Sequence, residues 1–281
     1  MSTTLIPATA PPPARVDLSG IGPPLHGAGA LRQVLVLSGR SLRVLREPAL
    51  LVPNLIEPFL LLLLFSQVFR SLAQVPSFPD GVSYIDYLLP AVLISMGMTS
   101  GVKSGLLLST DLRNGVITRF RTMPLWTGAV LLARSFADAA LNAVELLFLL
   151  VIGALLFGYA PAGGIAGALG AMLVALSLAW SVGWVFMALT TLLRRPESLQ
   201  QIGGMLTFPL MFASNAFVTT DGLPTWLRAF AEVNPLTHAI NAARGLALGA
   251  ATPSMVLWPL CMCAVTVLVA APVAMRGFRR P

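Results

Sequence analysis

Charge is what this chain has least of. Only 10% of its 281 residues are Asp, Glu, Lys or Arg, against about 25% in an ordinary soluble domain, so water is not its main solvent. Lysine is nearly missing: every basic residue except Lys103 is an arginine. The net charge of +7 and a pI near 10.7 argue little for nucleic acid. The arginines mark gaps between apolar runs, whereas a nucleic-acid binder gathers them on a polar face. Cysteine is scarce too. Cys261 and Cys263 lie in the apolar run "LWPLCMCAVTVLVAAPVAM", a setting that fits neither a disulfide framework nor a zinc site, and they read as small buried hydrophobes. His26 and His238 each stand without a second ligand at metal spacing, so no metal site is expected; His238 reads as a packed or hydrogen-bonded side chain. Catalytic motifs are absent. The nearest approach to a phosphate-binding loop is "GMTSGVKS", 97–104, where Val102 separates Gly101 from Lys103. Such a loop needs Gly-Lys-Ser/Thr in direct sequence on a strand-to-helix turn. The chain is therefore expected not to be an enzyme and to hold no cofactor itself.

What is present is apolar surface: 56% hydrophobic residues and a mean hydropathy of +0.82. Six segments are long enough for a bilayer crossing of about 20 residues, near 52–72, 84–108, 129–157, 163–192, 198–218 and 255–275, within a transmembrane domain spanning 52–275. The expected fold class is an all-α membrane protein. Residues 1–30, rich in Pro, Gly and Ala and without the apolar core of a signal peptide, read as a disordered tail, and 276–281 as a second tail. The stretch 219–254 is only mildly apolar and is broken by Pro224, Pro235 and Pro253. It reads as interfacial helices outside the core. With both ends cytosolic, thirteen arginines fall on cytosolic segments and three (Arg70, Arg228 and Arg244) on the outer side, the asymmetry the positive-inside rule requires.

Two polar elements break the apolar pattern near the cytosolic face. In 31–46, Leu31, Val34, Leu35, Leu42 and Leu45 share an arc of about 100° while Arg32, Arg40, Arg43 and Arg46 occupy the next, the pattern of a basic helix lying in the membrane interface. In "DLRNGVITRFRTMPLWTG", 111–128, Leu112, Val116 and Phe120 recur every four residues beside Arg113, Arg119 and Arg121. Ser109, Thr110 or Asp111 could cap such a helix, and Pro124 would end it. It either rests on lipid or docks into the groove of a soluble partner.

Charge inside a span is costly and marks a place to look. Glu57 precedes Pro58 in the first span. Arg134 and Asp138 have the spacing of a helical ion pair, and Asp138, Asn142 and Glu145 follow at i, i+4 and i+7 as one polar stripe. The stripe either lines a translocation path or ties helices together. Met96 and Met98, with Phe208, Phe212, Asn215 and Phe217, are further candidates for a path that suits a greasy ligand. The apolar ones read equally as lipid-facing or packed surface.

"DLRNGVITRFRTMPL" resembles the cytosolic motif of ABC-2 type exporter permeases, an acidic residue followed by Gly, basic residues and Pro, here Asp111, Gly115, Arg119, Arg121 and Pro124. "FPLMFASNAFVTTDGLPTWLRAFAEVNPLTHAINAARGLALG", 208–249, resembles the outer signature of that family, carried by Pro224, Trp226, Asn234, Pro235 and Arg244. "PAVLISMGMTSGVKSGLLLSTDLRNG" and "LTTLLRRPESLQQIG" are similar to its daunorubicin-resistance-type branch. Asp111 stands where many members carry Glu, and Val218 where many carry Pro. The resemblance implies six spans, an N-terminal interfacial helix and a re-entrant pair of short helices before the last span. It also implies a separate ATP-binding cassette subunit, present in two copies and holding ATP and Mg, whose groove receives the 111–124 coupling helix. Two permease chains, identical or different, would complete the unit in a bacterial plasma membrane and move an amphiphilic drug, polyketide or lipid outward. The rival expectations are an ion- or proton-coupled transporter with Glu57, Asp138 and Glu145 as carriers, and a membrane scaffold without flux.

Overall fold

The computed structural model describes residues 48–68, 82–113, 127–193, 195–216 and 224–279. Among them the secondary structure is helical throughout: α1 (Pro48–Val68), α2 (Tyr84–Arg113), α3 (Thr127–Phe157), α4 (Gly164–Leu193), α5 (Pro196–Phe212), α6 (Thr225–Val233), α7 (Pro235–Ala247) and α8 (Pro253–Arg279). The tail 1–30 and the amphipathic 31–46 segment lie outside the described residues. Helices are the solution for an oily chain, because hydrocarbon offers no partner for backbone amides and carbonyls. Proline opens α5 and α7 in the first turn, where its missing amide would have had no helical partner.

Among the described residues α2, α3, α4 and α8 are long and apolar enough to cross a membrane, and 58–68 of α1 forms a shorter apolar stretch. Large apolar side chains on these helices face outward, Leu155, Ile165 and Leu268 among them, as lipid contact demands. The chain is a multi-pass membrane protein.

Several boundaries differ from the sequence expectation; the last helix, expected over 255–275 with 276–281 as a tail, runs from Pro253 to Arg279. The first helix begins at Pro48, ahead of 52. The second passes 108 and continues to Arg113, because a helix stops for lack of hydrogen bonds and not for lack of apolar side chains. The fifth was expected over 198–218 but ends at Phe212 after 17 residues, with Pro209 in its last turn and residues 213–216 in turns.

α2 sits at the centre, buried along most of its length. Its closest neighbour is α4, and the contact is made by Gly97, Gly101 and Gly105, one every four residues. A Cβ at Gly97 would stand 2.6 Å from the Ala175 carbonyl oxygen, at Gly101 2.7 Å from that of Ala179, and at Gly105 2.5 Å from the Phe186 Cβ. Lipid supplies no hydrophobic drive between helices, so close backbone approach at small residues is what holds them. Thr190 Oγ1 reinforces the seam by donating to the Gly105 carbonyl at 2.8 Å.

The 219–254 segment needs a correction. α6 fits the interfacial reading, with Trp226, Phe230 and Val233 exposed. α7 does not lie outside the core: Leu236, Ala239, Ile240, Ala242 and Ala243 belong to the main apolar cluster with α2 and α4. Its alanines let it approach closely, and the amide of Gly163 donates to the Ala247 carbonyl at 2.7 Å. Gly249, at φ +71°, then turns the chain towards α8.

Candidate functional site

At the Arg113 end of α2, Asp111 and Arg113 occupy the last turn of that helix; Asp111 does not cap a new helix there. Gly115, Val116, Arg119, Phe120, Arg121 and Pro124 lie outside the described residues. Asp111 forms an ion pair with Arg134 of α3, and Arg113 Nη1 reaches Glu197 Oε1 at 2.9 Å, tying the end of α2 to the start of α5. A hydrogen bond from its own backbone amide, and then Arg113, hold the Glu197 carboxyl below its ordinary range. Arg134 Nε also lies 3.5 Å from Asp138 Oδ2, the helical pair its spacing predicted, so Arg134 is shared by two carboxylates from two helices.

The two ion pairs of the α2 end differ in exposure, and so should their worth. Arg113 and Glu197 are well exposed while Arg134 is largely covered. Arg113→Ala is expected to change stability by no more than about 0.5 kcal/mol. Asp111→Ala removes a charge-assisted contact from this largely covered arginine and should destabilise by about 1–2 kcal/mol. Thermal unfolding in detergent at low and high salt separates the two.

The stripe continues inward from there. Ser104 Oγ donates to Asp138 Oδ2 at 2.5 Å, and Ser100 Oγ to Glu145 Oε2 at 3.4 Å, so two serines one turn apart on α2 face two acids of α3. Asn142, between them, is buried.

The proposed path residues do not gather in one place. A cavity of about 70 Å³ between α1, α2 and α5 is lined by residues including Pro58, Leu61, Met96, Ser100, Lys103 and Met211. Glu57 belongs to α1 beside Pro58, its side chain outside what is described. Met98 packs in the core. Phe208 and Phe212 stack on each other at 4.4 Å between ring centres and face outward from α5. Phe217 lies outside the described residues. A wider groove of about 560 Å³, with His238, Asn241, Trp258 and Cys261 in its wall, opens between α7 and α8. Its wall is mostly apolar, whereas the smaller cavity carries Ser95, Thr99, Ser100 and Lys103. At about 70 Å³ the smaller cavity is far below the roughly 300–1,000 Å³ of a pocket for a drug-sized ligand, a range that the wider groove reaches.

At the Tyr84 end, the signature residues build a joint between α5 and α7. Pro224 precedes the first turn of α6, and Trp226 is 73% exposed. Asn234 caps α7, its Oδ1 accepting from the Leu236 amide at 2.9 Å. Its Nδ2 donates backwards to the Leu210 and Ala213 carbonyls at 2.7 and 3.2 Å, and Pro235 follows as the first helical residue. Arg244, buried, donates from Nε to the Tyr87 carbonyl at 2.9 Å and from its two Nη atoms to the Asn215 and Ala216 carbonyls, both at 2.7 Å. The guanidinium lies 3.4 Å over the Tyr87 ring. Burial lowers its pKa to about 10, so it remains cationic at neutral pH with carbonyl dipoles and an aromatic face as partners. Asn215 sits in this joint, its Nδ2 donating to Asn241 Oδ1 at 2.5 Å. The carbonyls that α5 leaves open when it ends early are thus taken by side chains from α7 and the residue before it.

Reading the sequence missed the glycine stripe of α2, although Gly97 and Gly101 stood inside the rejected phosphate-loop lookalike. The spacing of four was the available signal. It also missed the Asp111–Arg134 pair, for which no local pattern exists.

A model described as ABC-2 type transporter matches residues 32–248. The chain is 35% identical over 233 residues, 83% of its length, to the daunorubicin resistance ABC transporter permease protein DrrB1 of Streptomyces coeruleorubidus, of which 80% is covered. It is 25% identical over 254 residues, 88% of each chain, to a protein of Mycobacterium tuberculosis named "Probable doxorubicin resistance ABC transporter permease protein DrrC".

Proposed function

This chain belongs to the ABC-2 type transporter family, and we propose that it is the membrane subunit of an exporter that moves an amphiphilic compound outward. ATP and Mg are held by a separate ATP-binding cassette subunit, two copies of which serve two permease chains in a bacterial plasma membrane. The chain crosses that membrane six times with both ends cytosolic, α1 and α5 completing the set begun by the four long helices. The observation that carries the reading is the charged joint at the Arg113 end of α2. Asp111 and Arg113 fasten the polypeptide entering the 111–124 stretch to α3 and α5, so a push on that stretch is passed to three helices together. The groove between α7 and α8 is of a size for an amphiphilic cargo, and apolar Met255, Leu257 and Trp258 share its wall with His238, Asn241 and Ser254. The names of the two relatives point to anthracycline-like drugs as the class to try first.

The test is reconstitution with a candidate ATP-binding cassette subunit. The permease should stimulate ATP hydrolysis and drive ATP-dependent movement of a fluorescent anthracycline, and Arg119→Glu or Gly115→Pro should reduce both at least tenfold with the assembly still folded. Unchanged coupling in both variants would remove the docking role. Transport driven by a pH gradient without ATP would favour Glu57, Asp138 and Glu145 as carriers, and no flux at all would favour a scaffold.

A further inference from the structure

A small polar pocket lies between α2, α3 and α4, with Ser100, Ser104, Asp138, Asn142 and Trp180 in its wall and a volume of about 20 Å³. A cavity takes up a water molecule once its probe-occupied volume reaches about 10–15 Å³ and two or more polar groups face it. One water fits; an organic molecule does not. Asn142 is 3% exposed, and neither its Nδ2 nor its Oδ1 has a protein partner; the buried Trp180 Nε1 has none either.

These groups define the chemistry of the occupant. An indole N–H only donates, and a carboxamide offers both a donor and an acceptor whichever way it is turned. The occupant must therefore accept from Trp180 and satisfy both ends of Asn142. A bare cation accepts nothing. An anion has no proton for Oδ1 and would face the Asp138 carboxylate, with Glu145 one turn beyond Asn142 on α3.

We propose that this pocket is a binding site for a single ordered water that bridges Asn142 of α3 and Trp180 of α4. The water sits between the Ser104–Asp138 and Ser100–Glu145 hydrogen bonds and makes one polar seam of them, joining α4 to the pair α2–α3. It assigns the central part of the stripe to helix cohesion, whatever the chain transports.

Two conservative variants of the full-length protein in detergent test this by the sign of a melting shift. Trp180→Phe keeps an aromatic ring beside Phe136, whose ring centre lies 6.0 Å from that of Trp180, but removes the donor. Asn142→Leu replaces the amide with an apolar group of similar size. With a bridging water, each variant deprives it of a partner and should lower Tm by about 2–4 °C. In a dry pocket each removes orphaned polar atoms and should raise Tm. A map that resolves ordered water should also show a peak about 2.7–3.2 Å from Asn142 and Trp180. A fall in Tm with the peak present supports the site. A rise in either variant, or a well-ordered pocket without the peak, overturns it, and the Trp180→Phe variant and the map decide should Asn142→Leu not accumulate.

Discussion

Gly101→Leu is expected to leave no folded permease that survives extraction from the membrane. The first added carbon already conflicts with α4: it would stand 2.7 Å from both the Ala179 carbonyl oxygen and the Val182 Cβ. The carbonyl is engaged in the backbone of α4 and cannot swing aside as a flexible side chain could. The two helices would have to move apart, and Gly97 and Gly105 would lose their close approach with them, since all three lie on one stripe. Overpacking of this kind costs about 1–3 kcal/mol in a soluble core and more where backbone is struck; here one seam holds the central helix, so about 3 kcal/mol or more is expected. Gly204 on α5 is the control. No atom lies within 4 Å of a Cβ built there, and Gly204→Ala should be neutral or raise Tm slightly by stiffening the helix. Fluorescence-detected size exclusion after extraction, followed by thermal unfolding, distinguishes the two. A well-behaved Gly101→Leu protein would show that α2 and α4 do not meet as described.

Arg244→Leu is the second large effect. It removes the donors of three buried carbonyls, those of Tyr87, Asn215 and Ala216. Each orphaned group costs about 1–3 kcal/mol, so a loss of at least about 3 kcal/mol is expected, with α5 released from α7 and earlier proteolysis near residue 216. Arg244→Lys should restore only part of this, because an ammonium group cannot present the planar fork that reaches three acceptors at once. Asn215→Ala should cost about 1 kcal/mol, since it loses the side-chain bond to Asn241 while its carbonyl still accepts from Arg244. Equal effects of Arg244→Leu and Asn215→Ala would mean the joint depends on the side-chain pair and not on the guanidinium.

Some of the site was legible beforehand. The Arg134–Asp138 pair follows from helical spacing, and the i, i+4, i+7 spacing put Asp138, Asn142 and Glu145 on one face without choosing between path lining and packing. The signature residues Asn234, Pro235 and Arg244 were identified by resemblance alone, and nothing in their spacing says that two of them close the end of α5. Phe208 and Phe212 show the opposite failure. An aromatic pair one turn apart on an apolar helix fits a pocket wall and an outward face equally well, and hydropathy cannot choose between them. α7 was misplaced for a related reason. His238, Asn241 and Arg244 lower its mean hydropathy, which reports transfer from water to oil and is blind to carbonyls waiting on another helix.

Composition and apolar run length were enough to determine that this is a helical multi-pass membrane protein, and two motifs in the right order were enough to determine its family. Both are local properties: a span must be about 20 apolar residues long, and a motif is read within its own stretch of chain. Only the tertiary structure decided that "GMTSGVKS" is a packing seam, that Arg134 is shared between Asp111 and Asp138, and that Arg244 binds carbonyls from both α2 and the turn after α5. Those outcomes depend on which helix lies alongside which. In lipid that choice is made by backbone approach at small residues and by hydrogen bonds between distant segments; glycines spaced by four mark a face for close approach, but neither feature names the partner helix.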